Sequence, residues 1–123
     1  MKYFSFIRHP EKFREFGPPP ALMQAMQVLV EKSMKEGSLV DTGGFLPSKE
    51  GARVRLERGT ITATDGPFAE SKEVIGGWAI FKASSKAEAI RFATEFLDIH
   101  RKHWPEFEGE CEVRAMFEPG QRP

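Results

Sequence analysis

Six segments of the chain are predicted to be β-strands, some from alternation of apolar and polar residues with a period of two and others from a high content of aromatic and β-branched residues. These segments are residues 2–8, 38–41, 52–56, 60–64, 74–83 and 110–118. The third and fourth are joined through Arg58-Gly59 as a hairpin, with Ile61 and Ala63 expected to point inward. In the first and fifth, large apolar side chains occupy both faces, so that we expect both faces of these strands to be covered.

Two further segments have the spacing of amphipathic helices. Residues 20–36 repeat apolar side chains on one stripe, and Gly37 follows as a residue suited to end the helix. Ser85 and Glu88 have the spacing of a capping box, which predicts the start of a second helix that Pro105 ends.

The resulting order, β-α-β-β-β-β-α-β, is typical of an α+β, ferredoxin-like split βαβ subunit with an antiparallel sheet and two helices on one face. The helices can cover only that face, whereas the first strand and the strand of Trp78 are apolar on both. A second copy of the chain is the simplest cover for the other face, so we predict a homodimer. The length of 123 residues predicts a single domain over residues 1–123.

Composition narrows the range of functions. Lys plus Arg and Asp plus Glu both number 18, so net charge gives no general attraction to nucleic acid, and we expect no direct nucleic-acid binding. No window approaches the apolar length of a membrane span, and the start of the chain has no secretory pattern. The single cysteine, Cys111, excludes a disulfide framework. We therefore expect a cytoplasmic protein that does not bind membranes.

The turn at residues 65–68 and the end of the first strand hold the strongest functional candidates. Asp65 either shapes a tight connection or projects into a cleft as a base or hydrogen-bond acceptor, with Phe68 as a wall. Arg8 either binds a carboxylate or phosphate beside the Gly/Pro-rich loop or is a surface arginine. The expected site consists of Asp65 as the catalytic residue and of the ligand-binding residues Phe4, Arg8, His9, Phe68 and Trp78.

Three other residues have a structural explanation that we favour. His100 and His103 have a spacing that can hold a metal, but two imidazoles are only half a site. We predict neither a metal nor another cofactor, and expect His100 to pack as an extension of the Phe96 face. Cys111 alternates with Val113 and is expected to be a buried small apolar residue.

Residues 64–73 (TDGPFAESKE), followed by Gly76-Gly77-Trp78, resemble the signature of the DGPF-domain proteins, which belong to the broader YCII-related group. The opening KYFSFIR and the closing GECEVRAMFEP match in the same order, so the resemblance covers nearly the whole chain. It implies a dimeric α+β barrel of ferredoxin-like subunits. Some members are proposed enzymes with a His/Asp pair, but their histidine lies near the start of the first helix, where this chain reads PPALM. Asp65 is therefore the one residue that the resemblance carries over.

Three functions remain open. The first is a small-molecule-binding homodimer without established catalysis, for a small anionic or aromatic ligand. The second is a lyase or hydrolase in which Asp65 acts as base while Arg8 or His9 orients an anionic or phenolic substrate. The third follows only from the resemblance, because genes of the family often lie beside those of extracytoplasmic-function sigma factors. It is an accessory protein of such a system.

Overall fold

The computed structural model describes residues 1–68 and 72–121, without the side chains of Arg14 and Glu15. Its helices and strands are β1 (Lys2–His9), α1 (Lys12–Phe16), α2 (Pro20–Glu36), β2 (Leu39–Gly44), β3 (Ala52–Glu57), β4 (Thr60–Asp65), β5 (Val74–Lys82), α3 (Lys86–His103) and β6 (Glu110–Ala115). Four strands form an antiparallel sheet in the order β2-β5-β1-β6. This arrangement confirms the predicted α+β, ferredoxin-like class.

Strand β1 is central and divides the sheet into two different faces. It pairs with β5 on one side and with β6 on the other. Its residues Tyr3, Ile7 and His9 are buried on the face that the helices cover. On the opposite face Phe4 stacks on Trp78, with 6.0 Å between the ring centroids. The sheet is therefore apolar on both faces, as the sequence predicts, and the cover of the second face stays a prediction.

Two apolar clusters hold the helices against the sheet. Tyr3 and Phe81 belong to the first, beneath the N-terminal part of α3. The second joins Phe13, Leu22 and Trp104, with the Phe13 and Trp104 rings edge to face at 5.3 Å. Helix α1 is only 5 residues long and ends before Gly17, but it supplies Phe13 to this core. Across residues 1–68 and 72–121, no helix is both long and apolar enough to cross a membrane.

The ends of the long helices follow the local signals in the sequence. Gly37 has a φ of 80° and donates its amide hydrogen to carbonyl oxygens of the last turn of α2. The Ser85 hydroxyl oxygen accepts a hydrogen bond from the amide of Glu88 at 3.2 Å. The Glu88 carboxylate accepts from the amide of Ser84 at 3.0 Å, one residue before the position that an ideal capping box uses.

Strands β3 and β4 form a separate two-stranded sheet. Arg58 and Gly59 both have positive φ, at 50° and 80°, which suits a tight two-residue hairpin turn. The prediction that Ile61 and Ala63 point inward is wrong, because both are exposed, Ile61 at 69%. Alternation showed that these residues share a face, but it could not show whether another element lies against that face.

Candidate functional site

A cavity of about 670 Å³ lies between the helix-covered face of the sheet and helices α2 and α3. We call it the sheet–helix cavity. Apolar side chains from every surrounding element dominate its wall, among them Ile7, Met26, Leu29, Phe81, Phe92 and Phe96. Helix α2 is fully buried at Leu22 near its N-terminal end, whereas Met26 and Leu29, which line the cavity, are half-buried.

Two buried histidines face this cavity. His9 is 2% exposed and His100 is 6% exposed, and both belong to its lining. His9 Nδ1 lies 2.8 Å from the carbonyl oxygen of Pro10, and His100 Nδ1 lies 3.0 Å from that of Phe96. Because a carbonyl oxygen can only accept, we assign the hydrogen to Nδ1 in both rings. The two imidazoles thus have fixed orientations in a largely apolar wall.

The ring of Phe107 connects the two histidines. Its centroid lies 5.8 Å from that of His9 and 4.9 Å from that of His100. Strand β1 supplies the first imidazole and the last turn of α3 the second, so residues 91 positions apart in the sequence meet at one aromatic ring. The sequence predicts His9 at a ligand site but not His100. The sequence feature that pointed to His100 is that it continues the apolar face of Phe96. The distance of 4.6 Å between the Phe96 and His100 ring centroids confirms that the two side chains pack together.

Cys111 also lines the sheet–helix cavity and is half-buried. Burial raises the pKa of its thiol above the ordinary value, and a hydrogen bond with Ser5 opposes part of that shift. A thiol with a raised pKa remains protonated at neutral pH and is a poor nucleophile. Cys111 thus suits the predicted role of a small apolar residue, although it is half-buried and not fully buried as predicted.

A second hollow of about 720 Å³ lies at the base of the β3–β4 hairpin, and we call it the hairpin hollow. Its lining includes Arg8, Phe45, Arg53, Phe68 and Glu73. Arg8 donates to a carboxylate oxygen of Glu112 at 2.7 Å, and this hydrogen bond raises the pKa of its guanidinium. The Arg53 guanidinium lies 3.9 Å from the centre of the Phe68 ring. Both arginines are therefore engaged by groups of the chain itself.

The turn at residues 65–68, which we call the DGPF turn, packs against the single-turn 3-10 helix Ser48–Glu50. The Gly66 amide donates to the carbonyl oxygen of Gly51 at 2.9 Å, and the Phe68 amide donates to the Ser48 hydroxyl oxygen at 3.3 Å. A Cβ atom on Gly66 would overlap the Ser48 carbonyl oxygen and lie 2.6 Å from its carbonyl carbon. The glycine is therefore required by close packing of two backbones. The Gly66–Pro67 peptide is cis.

Glu11 ties this junction to the end of β1. Its carboxylate accepts a hydrogen bond from the Ser48 hydroxyl and lies 3.3 Å from the Ser48 amide nitrogen. Glu11 follows β1 by two residues, so these hydrogen bonds connect the central strand, the 3-10 helix Ser48–Glu50 (the Ser48 turn) and the β3–β4 hairpin. The DGPF turn thus has an evident structural role.

The structure separates the residues expected in one cleft. His9 lines the sheet–helix cavity, whereas Arg8 and Phe68 line the hairpin hollow. The ring of Trp78 stacks on Phe4 at the open face of the sheet, although Trp78 also borders the cavity.

Asp65 is exposed at the end of β4, opposite Ala52 in the strand ladder, and lines neither of the two hollows. Its catalytic role stays a prediction. Residues 69–71 of the DGPF block lie outside the described part of the chain.

The histidine pair at the end of α3 does not form a shared face. His100 is buried in the cavity wall, whereas His103 is exposed. Among the side chains that the structure describes, no group of three or more His, Cys, Asp or Glu residues is placed to hold a metal ion.

Comparison with known proteins identifies the family of this chain. Residues 1–96 match the family model of the YCII-related domain. The chain is also similar to an uncharacterized protein, R00369, of Rhizobium meliloti (strain 1021), with 29% identity over 104 residues that cover 83% of this chain and 80% of that protein. Because the family model spans well over half of the sequence, the chain belongs to the family of proteins with a YCII-related domain.

Proposed function

We propose that this protein is a homodimer that binds a small molecule in the sheet–helix cavity. The observation that carries the proposal is a largely apolar cavity of about 670 Å³ whose wall includes two buried histidines. Binding sites for small molecules typically have volumes of roughly 300–1,000 Å³, with apolar walls and a few fixed polar groups. The cavity has these properties without any rearrangement of the chain.

The apolar wall supports an occupant that displaces water. The cavity is partly open to solvent, so water fills it when no ligand is bound. An apolar ligand that displaces this water gains about 25 cal/mol for each Å² of apolar surface that it removes from water.

The open face of the sheet supports the dimer. Phe4 and Trp78 are stacked there on a face that none of the described helices covers, and the neighbouring Phe6 ring packs beneath the Arg8 guanidinium at 4.6 Å. A second copy placed against this face would bury these aromatic rings while leaving the sheet–helix cavity on the outer side of each sheet. Ligand binding and dimerisation therefore use opposite faces and can be tested separately.

Calorimetric titration with 2-naphthalenemethanol tests the binding site. At a ligand efficiency of about 0.3 kcal/mol per non-hydrogen atom, this probe should bind with a Kd of about 2 mM or tighter. Ala93 lines the cavity from α3, so that Ala93→Leu would fill part of the space and weaken binding by at least about tenfold. Ala87→Leu is the matched control, because Ala87 is exposed on the same helix and does not line the cavity.

Two results would contradict the proposal. The first is no detectable binding of the probe to the folded wild-type protein. The second is equal binding by wild type, Ala93→Leu and Ala87→Leu, which would place the probe elsewhere. Circular dichroism of each variant shows whether a loss of binding reflects a loss of fold.

A further inference from the structure

We infer that the sheet–helix cavity takes uncharged, predominantly apolar molecules and rejects carboxylates of the same shape. The inference rests on the proposed function, because it names the chemical class of ligand for the same site. It separates the two ligand classes that the sequence leaves open, anionic and aromatic.

The charges around the cavity carry the argument. Among the described residues that line it, none is lysine or arginine, and Glu95 is the acidic member. Glu95 is exposed, so its carboxylate lies at the open side of the cavity, where it repels an entering anion. The basic residues near the sheet do not compensate, since Arg8 and Arg53 line the hairpin hollow and not this cavity.

The N-terminus of helix α2 cannot replace a cationic side chain. It reaches the edge of the cavity, because Pro18 and Met23 belong to the lining. Amide hydrogens at a helix N-terminus commonly bind anions, but Pro20 has none. The amides of Leu22 and Met23 donate to the Pro19 carbonyl oxygen at 3.0 and 3.1 Å. Proline and these two bonds thus remove most of the donors that an anion would use.

The remaining polar groups suit an uncharged ligand. Hydroxyl groups of Ser5 and Thr42 already donate to carbonyl oxygens of Ala79 and Trp78, at 3.5 and 2.8 Å. A carboxylate in this cavity would lose its hydration without gaining an opposite charge, which costs several kcal/mol. The corresponding alcohol loses much less, because a hydroxyl is uncharged and needs one or two hydrogen bonds.

Matched ligand pairs test the inference. One pair is 2-naphthalenemethanol and 2-naphthoate, and the other is 1-octanol and octanoate. We would titrate each by calorimetry at pH 8. Each alcohol should bind at least about 100-fold more tightly than its carboxylate, since each 1.4 kcal/mol changes the affinity by about tenfold.

A gain of function provides a second test. Ser33 is half-buried on α2 and lines the cavity, so that Ser33→Arg would add the missing cation. This variant should bind 2-naphthoate at least about tenfold more tightly than wild type, through a charge-assisted pair. Ser33→Gln is the uncharged control of similar length and should show no such gain.

The outcomes distinguish the inference from the proposed function. Binding of alcohols with rejection of carboxylates supports both. Equal or tighter binding of the carboxylates at a site that Ala93→Leu blocks would overturn the inference and leave the proposed function standing. No binding of either class would overturn the proposed function itself. Failure of Ser33→Arg to recover 2-naphthoate would show that charge is not the basis of the selectivity.

Discussion

Replacing Gly66 with alanine should release the β3–β4 hairpin from the rest of the protein. The new Cβ would lie 2.6 Å from the Ser48 carbonyl carbon, whereas ordinary contacts begin at 3.4 Å, so the two backbones must separate by at least about 0.8 Å. The bond from the Gly66 amide to the Gly51 carbonyl oxygen, now 2.9 Å, would then exceed hydrogen-bonding distance. The neighbouring bond from the Phe68 amide to Ser48 lies in the same junction.

The free-energy cost of Gly66→Ala follows from the overpacking and from the lost hydrogen bond. Overpacking costs about 1–3 kcal/mol, and the loss of a backbone hydrogen bond adds about 1 kcal/mol. A free two-stranded hairpin is only marginally stable in water, so this loss of about 2–4 kcal/mol should appear as local opening of β3 and β4. Their amide hydrogens should exchange about 30-fold to 1,000-fold faster than in the wild type, as measured by native-state hydrogen exchange.

Gly51→Ala is the matched control for this experiment. Gly51 lies in the same junction with a φ of −116°, and a Cβ atom there would make an ordinary contact of 3.5 Å with the Ser48 carbonyl oxygen. We expect it to change stability by less than about 1 kcal/mol. Equal exchange rates in Gly66→Ala and Gly51→Ala would refute the conclusion that the DGPF glycine holds the hairpin to the Ser48 turn.

Three further predictions concern catalysis, assembly and pH. If Asp65 is a catalytic base, Asp65→Asn should reduce turnover of any identified substrate by at least about 100-fold, whereas unchanged turnover excludes that role. Phe4→Asp on the open sheet face should shift the protein, at micromolar concentration, from dimer toward monomer in sedimentation equilibrium. Phe16→Asp should not, because Phe16 is 81% exposed. A wild-type protein that is a stable monomer at this concentration would contradict the dimer itself. Hydrogen bonds from Arg101 and Lys102 lower the pKa of Asp98, so Asp98→Asn should slightly lower Tm at pH 7. That difference should disappear as the pH falls through the lowered folded-state pKa, below the ordinary value of about 3.9, and a difference that persists at pH 2 would contradict the assignment.

Local signals in the sequence were sufficient for most of the fold. The predicted helix over residues 20–36 has the observed bounds, and Gly37 ends it in the left-handed conformation because only glycine adopts that conformation without strain. The capping serine at Ser85 begins α3 as expected. These features depend on residues that are close together in the chain, so they can be predicted from the sequence alone.

The candidate site depended on distances that the sequence does not contain. Residues 8 and 9 are adjacent in β1, yet their side chains point to opposite faces of the sheet and line different hollows. His100 joins His9 only because α3 packs across the sheet. Likewise, the need for glycine at position 66 arises from Ser48, which lies 18 residues earlier in the chain. Tertiary packing decides each of these points.

The most direct test of the central claim is to map the bound probe by NMR. Backbone amide shifts would be recorded while the wild-type protein is titrated with 2-naphthalenemethanol. We expect saturable shifts at residues that surround the sheet–helix cavity, such as Gly77, Phe96 and Phe107, and none at Gly59 in the hairpin turn. Shifts confined to the hairpin hollow or the open sheet face, or no saturable shifts at all, would contradict the claim that this cavity is the binding site.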